Sequence, residues 1–138
     1  GLFLSTAFLG AGALADNLKI MVYKSPTCGC CNKWVSHLQE NGFEVETTDL
    51  NDLRVIKSMS GIRPEQASCH TAKVGDYVVE GHVPADDIKR LLAERPEARG
   101  LTVPGMPKGS PGMEHPNPDH YQVLLLGNDG TTEVFAEH

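Results

Sequence analysis

Three of the four cysteines fall within four residues, Cys28-Gly29-Cys30-Cys31, and the fourth is Cys69. Neighbours this close cannot staple distant parts of a fold, and a chain of 138 residues has room for a core that needs no staples. The clustering points to thiol chemistry. A thiolate is both the redox nucleophile and a soft-metal ligand, so the cluster alone leaves both uses open. Cys28 and Cys31 make a Cys-x-x-Cys pair suited to dithiol exchange, whereas Cys30 is a further thiol that such exchange does not need.

The elements around the cluster decide whether Cys69 can join it. Leu18 to Tyr23 is a short apolar run rich in branched and aromatic residues, which suits a largely buried strand. Ser25-Pro26-Thr27 breaks it. From Cys30 to Asn41 the apolar residues Cys31, Trp34, Val35 and Leu38 mark one face of a helix, and Gly42 stops it. The cluster then sits where strand gives way to helix, at the positive end of the helix dipole, where thiolates are favoured.

Phe43, Val45 and Thr47 alternate with polar residues and predict a half-buried strand. A second helix follows, capped by Asp49 or Asn51, with Leu53 and Ile56 inward and Gly61 at its end. Strands near Thr71 to Val74 and Tyr77 to Glu80 are joined at Gly75-Asp76 as a hairpin. Pro84 opens a third helix with Ile88, Leu91 and Leu92 inward, and Pro96 closes it. The stretch from Thr102 to Pro118 is too rich in proline and glycine for regular structure, and Gln122 to Leu126 with Thr131 to Phe135 reads as a terminal β-hairpin.

This order predicts a compact α/β domain of the thioredoxin-like type, its first two strands parallel. If the strand after Cys69 runs antiparallel to the first strand, it begins at the sheet edge where the first strand ends. Cys69 then faces Cys28, Cys30 and Cys31. The next strand returns to the same edge carrying His82, while Tyr77 lies at the opposite end. Thioredoxin-type oxidoreductases keep a cis proline just before the strand that Ser68-Cys69-His70 precedes here; this chain has a sulfur instead.

Four sulfurs with few hard carboxylates suit Cu(I) or Zn(II) rather than Mg(II) or Ca(II). Structural zinc usually takes separated ligand pairs, and the side chains of adjacent Cys30 and Cys31 diverge. Cu(I) accepts two or three sulfurs and can be bridged by thiolates, so a polynuclear copper-thiolate cluster is conceivable. Met106 and Met113 in the Pro/Gly-rich stretch offer thioethers as further soft ligands, against a simpler role as an apolar latch. Of the histidines, His70 and His82 are placed to reach the cysteines, His82 as a candidate ligand; His37 is expected on a helix surface and His115, His120 and His138 in solvent. Trp34 is expected in the core.

Residues 1–15 carry no charge and end in Ala13-Leu14-Ala15, the apolar region and cleavage site of a secretory signal peptide that lacks its basic start. At fifteen residues the segment is short against the roughly 20 that span a bilayer. The expected organisation is a truncated signal peptide at 1–15 and a single thioredoxin-like, copper-binding domain at 16–138, exported and without stable membrane insertion. The net charge of -6 with no dense basic run argues against nucleic acid as a partner.

Cys28-Gly-Cys-Cys31, Ser68-Cys69-His70-Thr71, Val79-Glu-Gly-His82-Val-Pro84 and Gly105-Met-Pro107 to Gly112-Met-Glu114 together resemble the CopG-type family of bacterial periplasmic copper-resistance proteins, over about Leu18 to Glu114. The resemblance implies a thioredoxin-like fold, a periplasmic location and copper handling, with the four cysteines as metal and redox centre. Copper ions, and other periplasmic copper-handling proteins, are the implied partners. Storage, transfer and a copper- or thiol-dependent oxidoreductase activity all stay open. The competing reading is a periplasmic thiol-disulfide oxidoreductase using Cys28 and Cys31, with Cys30 and Cys69 as a resolving pair; a structural zinc protein is a third.

Overall fold

The computed structural model describes residues 18–138, so the expected signal peptide lies outside the described residues. The chain runs β1 (Lys19–Lys24), α1 (Gly29–Glu40), β2 (Glu44–Asp49), α2 (Arg54–Met59), a 3-10 turn (Pro64–Gln66), β3 (Thr71–Val74), β4 (Tyr77–Glu80), α3 (Ala85–Glu94), β5 (Gly100–Thr102), β6 (Gln122–Leu126) and β7 (Thr132–Glu137). The seven strands form one mixed sheet in the order β2-β1-β3-β4-β5-β6-β7. β1 is parallel to β2 and antiparallel to β3, and β3 is antiparallel to β4. These pairings are the ones that bring the ends of β1 and β4 and the start of β3 to a common edge.

One sheet face carries the main core. Trp34, Val35 and Leu38 of α1 and Ile88, Leu91 and Leu92 of α3 pack on Ile20, Val22, Ala72, Val74, Val79 and Leu101. Alternation sends Val78 and Glu80 to the opposite face, where Val78 joins Ile62 and Leu126 in a smaller cluster. Glu80 is fully buried. Its carboxylate is held by Lys57 Nζ at 2.6 Å, the Thr71 hydroxyl at 2.6 Å and the Ser68 amide at 2.9 Å.

Four expectations need correction. β2 is an edge strand: Val45 is half-buried but Thr47 is exposed, because no layer covers that end of the strand. α2 begins after Leu53 rather than under an Asp49 or Asn51 cap, with Asp52 Oδ1 accepting the Arg54 amide at 2.9 Å. Its Leu53 and Ile56 are only half-buried, since a helix of 6 residues lies shallow on the sheet. The stretch expected to lack structure from Thr102 begins inside a strand, β5, which pairs in parallel with β4 and antiparallel with β6 and so joins the terminal hairpin to the main sheet.

Candidate metal centre

Cys28 is the N-cap of α1, so Cys30 and Cys31 occupy its first turn. Their backbone sits where the helix has spare N–H groups, while Cys31 turns inward and is buried. Cys28 and Cys31 are joined by a disulfide, with Cα atoms 5.3 Å apart; Cys30 and Cys69 are free. Cys30 Sγ lies 3.5 Å from Cys28 Sγ, and Cys69 Sγ lies 3.6 Å from Cys31 Sγ. All four sulfurs fall within 4.8 Å of one another. The placement of Cys69 inferred from strand direction is therefore observed.

Cys69 is also the meeting point of two imidazoles. His82 Nε2 is 3.2 Å and His70 Nδ1 3.4 Å from its sulfur. The opposite nitrogens are committed: His70 Nε2–H donates to Gly81 O at 2.8 Å, and His82 Nδ1–H donates to Pro111 O at 2.6 Å. Those carbonyls accept and cannot donate, so each neutral ring turns a lone pair toward Cys69, the arrangement in which backbone acceptors orient ligating histidines. Burial pushes the His70 pKa down to about 3, helped by nearby His82. Burial likewise lowers His82. It raises the Cys69 thiol to about 11, partly offset by the Ser68 hydroxyl. A metal arriving at Cys69 must displace its proton, and either imidazole is within reach of it.

The Pro/Gly-rich stretch covers this cluster. Met106 Sδ approaches Cys30 Sγ at 3.8 Å. Gly105 donates to Ala67 O at 3.1 Å, and the Ser68 hydroxyl donates back to Gly105 O. At Gly112 a Cβ would stand 2.8 Å from Cys30 O and 3.0 Å from His82 Nδ1, so glycine is what lets the loop press onto the site. Met113 fastens the loop through its backbone, accepting from Gly109 and donating to Ser110 O.

Residues 66–113 match a family model described as a protein of unknown function, DUF411, a span that holds Cys69, His82 and both loop methionines but not the first cysteine cluster. No curated protein matches the chain. Two solved structures do. "Copper resistance protein copG- Form 1" is 45% identical, with a TM-score of 0.83 over 88% of this chain and 97% of that one. "Copper resistance protein copG- Form 2" is also 45% identical, with a TM-score of 0.84 over 88% of this chain and 98% of that one. The chain belongs to the CopG copper-resistance family.

Membership in the CopG family joins a cysteine cluster able to hold a metal to a copper-related role. No helix among the described residues is long and apolar enough to cross a membrane. Three features of this CopG-family chain escaped sequence reasoning. Trp34, expected only as core, also packs against His70 in a tilted arrangement with ring centroids 4.3 Å apart, so core packing holds a ring at the site. His37 is half-buried and accepts the Ala85 amide at 3.0 Å, serving as a tertiary cap for α3, whose own Pro84 N-cap offers no side-chain acceptor. His138, expected in solvent, pairs with the buried Asp87 at 2.7 Å and stacks on Tyr121.

Proposed function

We propose that the chain takes up Cu(I) as cargo in copper resistance, through Cys28, Cys30, Cys31 and Cys69, with His82, Met106 and Met113 as further ligands. The observation that carries this reading is the convergence of four sulfurs within 4.8 Å from two separate parts of the sequence. Sulfurs so close can share ions as bridging thiolates, which favours a polynuclear Cu(I) site over a mononuclear zinc site. The framework is of thioredoxin-like type, with β1-α1-β2 leading into the β3-β4 hairpin and α3, and the domain runs from 16 to 138 behind a signal peptide at 1–15 that delivers it to the periplasm. Reduction of the Cys28–Cys31 bridge, with two electrons and two protons from a dithiol, would free both sulfurs for metal.

That same bridge favours a second reading, a thiol-disulfide oxidoreductase using Cys28 and Cys31 with Cys30 and Cys69 as a resolving pair, in which the Cys69 thiolate attacks Cys31 Sγ, the Cys28–Cys31 bond breaks and Cys28 leaves as thiolate. Anaerobic titration of reduced protein with Cu(I) against a competing chelator, beside an insulin-reduction assay, separates the two. Tight copper uptake with negligible reductase activity is the expected result. Efficient insulin reduction with weak copper binding would reverse the assignment.

A further inference from the structure

On the sheet face away from the main core, α2, the turn before β3 and the β6–β7 loop enclose a cleft of about 730 Å³. Its walls carry Arg54, Lys57, Arg63 and Arg99, and its floor is apolar, with Ile62 and Ala67. Four cations in one cleft run against a chain whose formal charge is -6. Two of them are neutralised: Arg54 pairs with Asp52 at 2.7 Å, and Lys57 with Glu80 at 2.6 Å. Arg63 and Arg99 form no ion pair among the described residues. Asp129, the carboxylate that lines the cleft, is turned onto Thr131, accepting its amide at 3.0 Å and its hydroxyl at 2.6 Å.

Of the two unpaired guanidinium groups, Arg99 is tied to backbone carbonyls, while Arg63 lies against the chain at Gly130. Arg99 donates to Gly61 O at 2.9 Å and to Asn128 O at 3.2 Å. A Cβ at Gly61 would stand 2.6 Å from Arg99 Cζ, and one at Gly130 would collide with Arg63 Nη2. Both glycines have positive φ, at 73° and 86°, so each leaves room where an arginine lies against the chain. Orientation by carbonyls leaves the Arg99 charge uncompensated, ready for an anion.

The chemistry continues outside the cleft. Arg54 and Ser58 also line the adjoining depression beside Val55 and Met59, one helical turn apart on α2. Those two are 66% and 76% exposed. A small anion would use the arginines and leave this apolar step uncovered, whereas a polypeptide carrying carboxylates between apolar side chains would cover both.

We propose that this cleft and the Val55–Met59 step form a docking surface for an acidic segment of a partner polypeptide. The proposal stands independently of copper binding, although the cleft residue Ala67 is two positions from Cys69 and would bring the partner beside the metal centre.

The test uses the copper-free chain and an acetylated, amidated and fluorescently labelled hexapeptide, Asp-Glu-Leu-Asp-Glu-Leu, with anisotropy to measure affinity and backbone amide shifts to locate it. The peptide should bind, its binding should weaken as salt rises, and it should shift the amides of residues 61–63 and 128–130. Arg63→Glu, at an exposed position outside the core, should weaken binding about tenfold or more without changing the fold. Met59→Ala should weaken the peptide but leave free glutarate unaffected. Absence of binding, equal binding of the same peptide with lysine at every acidic position, or indifference to Arg63→Glu would each overturn the proposal. Glutarate binding as tightly as the peptide would also overturn it, marking a small-carboxylate site instead.

Discussion

Cys69 Sγ stands 3.6 Å from Cys31 Sγ across 38 positions of sequence, as near as Cys30 Sγ comes to Cys28 Sγ within the same turn. Cys31 therefore has two possible disulfide partners, and only Cys28 holds it. In a Cys28→Ser variant, mild oxidation by glutathione disulfide should produce a Cys31–Cys69 bridge, two thiols giving up two protons and two electrons to the oxidant. Non-reducing peptide mapping reads the outcome. If Cys31 and Cys69 remain free thiols while the fold is intact, their approach is not a working contact.

Cys30 distinguishes the copper reading from the dithiol reading. It is partly exposed on the first turn of α1, contributes nothing to the core, and is not used by the Cys28–Cys31 pair. Cys30→Ser should lower the copper bound per reduced chain while changing unfolding free energy by no more than about 0.5 kcal/mol. Metal analysis beside a urea melt checks both parts. Unchanged copper content would remove Cys30 from the site.

The buried pair of Glu80 and Lys57 supports the Cys69 segment from the far side of the sheet. Lys57→Met would leave a fully buried carboxylate with only the Ser68 amide and the Thr71 hydroxyl as donors. The expected cost is about 3–5 kcal/mol, because an uncompensated buried charge is far worse than a missing pair. Adding Glu80→Gln should recover most of it. Urea unfolding of the two variants without copper measures the difference; equal destabilisation by both would mean that the charge is not the cause.

His37 makes part of the stability pH-dependent. Burial lowers its pKa, against the opposing pull of Glu114, Glu40 and Asp86. The neutral ring is the form that accepts the Ala85 amide. A group with a depressed folded-state pKa contributes fully above its unfolded value, near 6.5, and the contribution is lost as pH falls through the folded value. Wild type should lose about 1 kcal/mol over that acidic window relative to His37→Ala, which lacks the bond throughout. Parallel denaturation curves at neutral and mildly acidic pH test the sign. A variant whose pH dependence matches wild type would show that the cap plays no part.

Most of the site was readable because strand polarity is a discrete property. Once β1 and β3 are antiparallel, Cys69 must begin where β1 ends, and His82 must follow at the end of β4. Periodicity also located the inner faces of α1 and α3. It could not find β5, whose three residues include a glycine and precede Pro104, nor foresee that Thr47 would lie on an uncovered edge. Contacts made by irregular backbone left no pattern to read. The approach of Met106 to Cys30 and the bond from His82 to Pro111 depend on how a proline- and glycine-rich stretch turns, and neither residue type sets that path through spacing. His37 was misplaced for a related reason, since a polar residue at a helix flank reads as solvated until a neighbouring helix presents an amide that lacks an acceptor.

The loop over the cysteine cluster is fastened by Gly105 to Ala67, by His82 to Pro111 and by the contact of Met106 with Cys30. None of these is a rung of the sheet. Within the loop, the amides of Gly109 and Asp119 bond to Met113 and Lys108, so the segment has internal ties that survive if the outer ones part. Such a segment is expected to open as a separate cooperative unit, at a free energy below that of global unfolding. Amide exchange at Gly105 should accordingly outpace exchange in β1 and β3. Full access to the thiols would then be set by a local equilibrium that mutations in the main core leave largely untouched, and under the proposed function the rate of metal uptake and the resistance of the protein to denaturant would vary independently.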